Sequence, residues 1–296
     1  MKAENSIAPQ HPFAALFNQF GRRTQIEKVG TLPVHCEVYE HSKEAPVVLF
    51  IPGLGTYSRL YCEFLAKLSE CGLNVIGVDL RGHGYSGGTR GEYTVTQVVQ
   101  DMKGVMDHFA ARYNDQIIVF GCSMGSALAV ACAEADRRVQ ALLCHTFFIS
   151  EIPPSPFHWF GWNWLALCSM VSPQFKIDFR MFMDAKTLMK NLNYEEFVQY
   201  DQLMVWQYPI KTLGSVYSRR CQILYRQFDF KAAIISGEQD PLIHPWYIQM
   251  VTKCMRHPFD SIIIPKAGHM LPFEDVERTI EAIRKWLGKT EILSAK

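Results

Sequence analysis

The pentapeptide Gly121-Cys122-Ser123-Met124-Gly125 follows directly on the apolar run Gln116-Ile117-Ile118-Val119-Phe120 and runs straight into the small-residue stretch Ser126-Ala127-Leu128-Ala129-Val130. A strand, then a serine between glycines, then a helix is the sequence form of a nucleophile elbow, in which the serine stands on a sharp, strained turn with its hydroxyl exposed. Glycines are needed there because side chains would clash as the helix turns back against the strand. A bare G-x-S-x-G pattern arises often by chance; its place between strand and helix carries the weight.

A serine hydroxyl is a poor nucleophile at neutral pH and needs a histidine base oriented by a carboxylate, which in this arrangement follow the serine in the order acid, then histidine. Asp240 lies where the apolar run Ala233-Ile234-Ile235-Ser236 ends in a glycine turn, and His269 lies in the loop after Ser261-Ile262-Ile263-Ile264-Pro265. Parallel sheets gather such loops at one edge. The plainer alternatives are that Asp240 caps a helix beginning near Pro245 and that His269 is an ordinary loop histidine. Oxyanion donors are expected from the loop after an earlier strand and from the residue after the serine. Val47-Val48-Leu49-Phe50-Ile51 runs into Pro52-Gly53-Leu54-Gly55, so Leu54 and Met124 are the candidate N–H donors. Pro-Gly-Leu-Gly would serve equally well as a simple turn.

Along the chain, Gln25 to Glu40 alternates as an opening hairpin would. Strands are expected at Val47 to Ile51, Asn74 to Asp79, Gln116 to Phe120, Gln140 to His145, Ala232 to Ser236 and Ser261 to Pro265. Tyr61 to Leu68 and Val98 to Met106 carry helical periodicity. Continuously apolar strands imply a parallel sheet covered on both faces. The rhythm breaks after His145. Phe147 to about Phe230 is rich in aromatics and methionines, among them Phe157, Trp159, Phe160, Trp162 and Trp164, then Phe179, Met181, Phe182 and Met183, then Tyr200, Met204, Trp206 and Tyr208. This stretch is expected to form a mostly helical cap after the sixth strand, with a hydrophobic pocket beneath it. The stretch Phe157 to Val171 is a further candidate for contact with a lipid surface.

With Pro52-Gly53-Leu54-Gly55, Asp79-Leu80-Arg81-Gly82-His83-Gly84-Tyr85-Ser86, the elbow, Gly237-Glu238-Gln239-Asp240 and Gly268-His269 in view, the chain resembles an α/β-hydrolase of the monoacylglycerol lipase and lysophospholipase group, the serine aminopeptidase-like hydrolases. The resemblance runs from about Thr24 to Leu287 and is weak between Phe147 and Phe230. It implies an α/β-hydrolase fold: a mostly parallel eight-stranded sheet with helices on both faces, residues 1–146 and 231–296 forming the core and 147–230 the cap. It implies Ser123, Asp240 and His269 as catalytic residues and a lipid-like carboxylic ester as substrate, with no metal or organic cofactor. Two positions depart from the family pattern: Pro52 stands where histidine is usual, and Ser126 where glycine often follows the elbow. His83 precedes the serine and is read as structural, in a loop that shapes the active-site floor. Cys122, at a strand end, is read as a buried, inert thiol.

Thioesterases and other small-ester or amide hydrolases of the same fold keep the same three residues and stay open as alternatives. A non-catalytic small-ligand binding protein stays open too. An aminopeptidase needs an acidic group for the substrate's amino terminus; the cap offers Glu195 and Glu196 but no pattern that marks such a group. Thirty basic against 29 acidic residues leave no electrostatic footprint for nucleic acid. Nine scattered cysteines read as reduced thiols of a cytoplasmic protein rather than a disulfide scaffold or zinc site. The opening Met1 to Pro12 lacks the apolar core of a secretory signal. No run of about twenty apolar residues appears, while peripheral membrane contact through the cap remains open.

Overall fold

The computed structural model describes residues 13–21, 24–154, 156–181 and 201–293. Phe182, Met183, Glu195, Glu196, Tyr200 and the Met1 to Pro12 stretch lie outside the described residues, as does the side chain of Phe157. The sheet has eight strands in the order β1-β2-β4-β3-β5-β6-β9-β10. The opening hairpin is β1 (Gln25–Val29) and β2 (Val34–Tyr39), paired antiparallel, and β2 runs antiparallel to β4 (Asn74–Val78). From there β3 (Val47–Ile51), β5 (Ile117–Cys122), β6 (Val139–His145), β9 (Lys231–Gly237) and β10 (Asp260–Ile264) are all parallel. The inner strands are buried along their whole length, which is why they read as unbroken apolar runs.

Alternate residues of these strands feed two cores, one on each face. Leu49, Val119 and Leu142 pack with α3 (Val95–Arg112), α4 (Met124–Ala135) and α7 (Pro245–Cys254). Phe50, Phe120 and Leu143 pack with α1 (Ala14–Phe20), α2 (Cys62–Ser69) and α9 (Val276–Lys289), the last preceded by the single turn α8 (Leu271–Glu274). Helix α3 begins with a reciprocal capping box between Thr94 and Gln97, which extends it three residues ahead of the expected Val98.

Strand β5 runs two residues past the expected Phe120, because Gly121 and Cys122 still pair with Cys144 and His145 of β6. Strand β2 carries no solvent face: all six residues are buried, and Glu37 among them is neutralised by Arg59, whose Nε lies 2.9 Å from Oε1. Between β6 and β9 the chain leaves the sheet. Its described part there comprises α5 (Pro156–Val171), a two-stranded antiparallel piece of β7 (Lys176–Asp178) and β8 (Gln207–Pro209), and α6 (Ile210–Tyr217). No helix among the described residues is long and apolar enough to cross a membrane.

Candidate active site

Ser123 sits at φ 51°, ψ −118°, between the last residue of β5 and the first turn of α4. A non-glycine residue at positive φ carries strain of order 1–3 kcal/mol and persists only where its surroundings over-determine it. They do so here. The Ser123 N–H donates to the His145 carbonyl at 2.8 Å, and the Ser126 N–H to the Ser123 carbonyl at 2.9 Å. The Ser126 hydroxyl reaches both the Gly121 carbonyl (2.8 Å) and the His145 carbonyl (3.2 Å). The serine that departs from the family pattern therefore stitches the ends of β5 and β6 together under the elbow. The flanking glycines are sterically required: a Cβ on Gly121 would lie 2.4 Å from the Gly125 carbonyl oxygen, and one on Gly125 would lie 2.4 Å from that of Pro52.

The other two candidates arrive from the ends of β9 and β10. His269 Nδ1 lies 2.8 Å from Asp240 Oδ2, and His269 Nε2 lies 3.2 Å from Ser123 Oγ. A carboxylate only accepts, so Nδ1 carries the proton and Nε2 of a neutral imidazole is left to accept from the serine. Asp240 does not cap α7. That cap is His244, whose Nδ1 accepts the Trp246 N–H, while Asp240 Oδ1 accepts the N–H groups of Leu242 and Ile243 at 2.8 and 2.9 Å. Burial pushes the Asp240 carboxyl up, but the His269 hydrogen bond and charge and the Ile243 N–H outweigh it and hold its pKa below the ordinary value.

The loop after β3 is pinned on both sides of Leu54. The Gly53 N–H donates to the Tyr61 hydroxyl at 3.2 Å, and the Gly55 N–H to the Tyr208 hydroxyl at 2.8 Å. Thr56 gives its proton to the Gly53 carbonyl (2.9 Å), so Tyr61 gives its own to Thr56 Oγ1 (2.9 Å). Among the described residues the Leu54 N–H has no protein acceptor. Met124 is the first residue of α4, where no preceding turn supplies one. Leu54 and Met124 both line the cavity into which Ser123 and His269 open. Sequence reasoning missed both tyrosines, and for Tyr208 nothing local could mark it as a partner of Gly55, 153 positions away.

His83 takes no part in this line of contacts and hydrogen-bonds Tyr208 instead. Cys122 is buried, with Sγ 3.2 Å from His145 Nδ1, and burial pushes its thiol up to about 12. His145, also missed, stands with its ring centre 5.4 Å from that of His269. Burial, then the His269 charge, depress its pKa to about 3, so it stays neutral beside His269 near pH 7. Thr146, the next residue, has φ 50°, strained for a β-branched side chain, and turns the chain from β6 into the cavity wall.

The cavity measures about 320 Å³. Its walls include Phe148, Trp162, Phe179, Tyr217, Trp206 and Phe273. No Lys, Arg, Asp or Glu among the described residues lines it. Trp159, Phe160 and Trp164 of α5 point away from it, being 53, 69 and 61% exposed. Among the described residues no group of three or more His, Cys, Asp or Glu could hold a metal ion.

A family model described as serine aminopeptidase, S33, matches residues 42–276. Among solved structures, the fold is similar to that of the monoacylglycerol lipase of Paleococcus ferrophilus, at 19% identity and a TM-score of 0.68 over 87% of this chain and 99% of that one. It is also similar to a soluble variant of the monoglyceride lipase of Saccharomyces cerevisiae in complex with a substrate analog, at 16% identity and 0.72 over 90% and 94%. A thermostable carboxyl esterase of Bacillus coagulans in complex with glycerol matches at 16% and 0.70 over 91% and 98%.

Proposed function

Since the chain belongs to the serine aminopeptidase (S33) family of hydrolases, we propose that it cleaves carboxylic esters of hydrophobic acyl groups by a Ser-His-Asp acyl-enzyme mechanism, with a small uncharged alcohol such as glycerol leaving. The observation that carries this reading is the unbroken contact line Asp240–His269–Ser123 at 2.8 and 3.2 Å, opening into a largely apolar cavity with no Lys, Arg, Asp or Glu among its described lining residues. The monoacylglycerol lipases among its structural relatives support the choice of ester. Residues 147–230 act as a cap over a core of 1–146 and 231–296, supplying Trp162, Phe179 and Trp206 to the cavity.

His269 takes the Ser123 proton through Nε2 as Oγ attacks the ester carbonyl. The Leu54 and Met124 N–H groups receive the developing oxyanion. Imidazolium, steadied by Asp240, then protonates the leaving alcohol, and the acyl group stays on Ser123. Water, deprotonated by the same His269, attacks the acyl carbonyl and releases the carboxylic acid.

The described lining ranks the leaving groups. A peptide amino terminus finds no carboxylate among the described lining residues, and a lysophospholipid or coenzyme A phosphate finds no Lys or Arg. A buried charge without a partner is expensive. Hydrolysis rates for monoacylglycerols from acetyl to palmitoyl, beside lysophosphatidylcholine, an acyl-coenzyme A and an aminoacyl p-nitroanilide, test this. The neutral glycerol esters should be cleaved with kcat/KM at least roughly tenfold higher than the charged substrates. Equal or better cleavage of a charged one would overturn the proposed leaving group and favour the thioesterase or peptidase alternative.

Peripheral lipid contact has its own support. The 16 residues of α5 include no Lys, Arg, Asp or Glu, and Trp159, Phe160, Trp164, Met170 and Val171 are all more than half exposed. An uncharged aromatic face suits a neutral bilayer surface and gives an attraction that salt does not screen. The protein should therefore float with phosphatidylcholine vesicles at low and high salt alike, and a Trp159→Glu, Trp164→Glu double variant should not. Failure of the wild type to float would end the idea.

A further inference from the structure

The oxyanion loop is held from the cap as well as from the core, and the cap's hold is the more elaborate. Its Gly53 end is fixed by Tyr61, a little further along the same core segment. Its Gly55 end is gripped twice by residues 204–208: the Gly55 N–H donates to Tyr208 Oη at 2.8 Å, and the Val205 N–H donates to the Gly55 carbonyl at 2.9 Å. Gly55 has φ +73°, and a Cβ there would lie 2.3 Å from the Val205 carbonyl oxygen. The two backbones touch with no room for a side chain between them.

Tyr208 is itself oriented. Its side chain is fully buried, and Oη lies 2.7 Å from His83 Nε2. The other ring nitrogen, His83 Nδ1, lies 3.1 Å from the Arg81 carbonyl. A carbonyl only accepts, so the His83 proton sits on Nδ1, and Nε2 accepts from the Tyr208 O–H. The Tyr208 oxygen then presents a lone pair to the Gly55 N–H. Burial lowers the His83 pKa to about 4, so the ring stays neutral near pH 7 and Nε2 stays an acceptor. The chain of hydrogen bonds thus has one direction, from Gly55 through Tyr208 and His83 to the Arg81 carbonyl. The strap that carries Tyr208 is anchored on the same core loop, with Arg90 donating to the Leu203 carbonyl and the Tyr93 N–H to Thr212 Oγ1.

We infer that Tyr208 is a positioning residue for ester hydrolysis, which, oriented by His83, sets the Gly55 peptide and thereby aims the neighbouring Leu54 N–H at the oxyanion. Tyr208 does not line the cavity, so it acts through the loop and not on the substrate. The inference rests on the reading of Leu54 as an oxyanion donor. It also makes the 203–212 part of the cap a fixed piece of the catalytic apparatus rather than a removable cover.

The chain predicts a loss confined to the transition state, because an oxyanion donor binds the tetrahedral oxygen more strongly than the ground-state carbonyl. Tyr208→Phe keeps the ring and removes both hydrogen bonds. With active sites counted by fluorophosphonate titration, kcat per titrated site on a p-nitrophenyl ester should fall about 10- to 100-fold, less than the about 10²- to 10³-fold cost of a missing donor because the Leu54 N–H is misaimed and not removed. KM should stay within about twofold. Affinity for an alkyl trifluoromethyl ketone, whose adduct places an oxygen between the donors, should fall by the same factor as kcat, while affinity for the product fatty acid stays unchanged. A purely structural role for Tyr208 would lower the thermal midpoint or the titre and leave kcat per site intact; that outcome overturns the inference. Should the phenylalanine variant not fold, His83→Leu, which leaves the Tyr208 hydroxyl no acceptor at that position, reads the same chain: a fall in kcat at constant KM supports it, and unchanged kcat overturns it. Ser123→Ala, run in parallel, separates the two levels, since activity retained there would sink the proposed mechanism itself, whatever Tyr208→Phe does.

Discussion

Ser123→Ala is expected to lower kcat on a p-nitrophenyl ester by about 10⁶-fold, the size of loss seen when the nucleophile of such a triad is removed, and to abolish labelling by a fluorophosphonate. The fold should not change. Alanine at φ 51° faces the same backbone strain as serine, and the elbow is held by the Ser123 N–H, the Ser126 N–H and hydroxyl and the two glycines, none of which involves Oγ. The substitution removes one side-chain hydrogen bond, from Oγ to His269 Nε2. The thermal midpoint should accordingly stay close to that of the wild type, which makes the variant a clean test. Residual turnover of about 10³ to 10⁴ over water would remain from the oxyanion donors and substrate binding. Full esterase activity in a variant with a normal midpoint would remove Ser123 from the mechanism, whereas folded wild type that no fluorophosphonate labels would bring the small-ligand binding alternative forward.

Legibility in the sequence followed the range of each interaction. The elbow could be read because its requirements are local: an apolar run, two glycines that a Cβ would destroy, and a small-residue helix lie within about a dozen positions. Strand positions were readable to within a residue or two, since strands buried on both faces must be apolar throughout. Their ends were less so, as at β5, where pairing with Cys144 and His145 adds two residues that no local signal marks. Asp240 could be placed at a strand end, but its two duties there could not be separated from helix capping until His244 was seen to occupy the cap. Polar residues buried through distant partners were illegible. Glu37 in β2 looks like a solvent-facing residue of a hairpin until Arg59 is brought against it. Tyr208 looks like one more aromatic of the cap until its hydroxyl is found between Gly55 and His83, 153 and 125 residues away. Of the cap's tryptophans, composition could not say which face inward: Trp162 and Trp206 line the cavity, while Trp159 and Trp164 face outward.

Asp240→Asn should cost about 10⁴-fold in kcat, the loss expected when a triad histidine is left in the wrong tautomer, and the hydrogen-bond pattern gives the reason. Oδ1 already accepts two backbone N–H groups, from Leu242 and Ile243. An asparagine must keep its carbonyl oxygen there, because its amide would oppose two donors with two more. The amide therefore faces His269 Nδ1 and donates to it, which forces the imidazole proton onto Nε2. From Nε2 the ring can only donate toward Ser123 Oγ and cannot take its proton. The same substitution has a signature in pH. The Asp240 carboxyl has a folded-state pKa below its unfolded value of about 3.9. It therefore stabilises the folded protein at any pH above that value, and the stabilisation is lost as pH falls through the lower folded pKa. Asparagine cannot titrate, so the gap in thermal midpoint between wild type and Asp240→Asn should be full near neutrality and close in acid, below about pH 4. A gap that is absent at pH 7 or widens in acid would mean that burial outweighs the His269 contact at Asp240. Wild-type turnover in the variant would show that the imidazole does not depend on Asp240 for its tautomer.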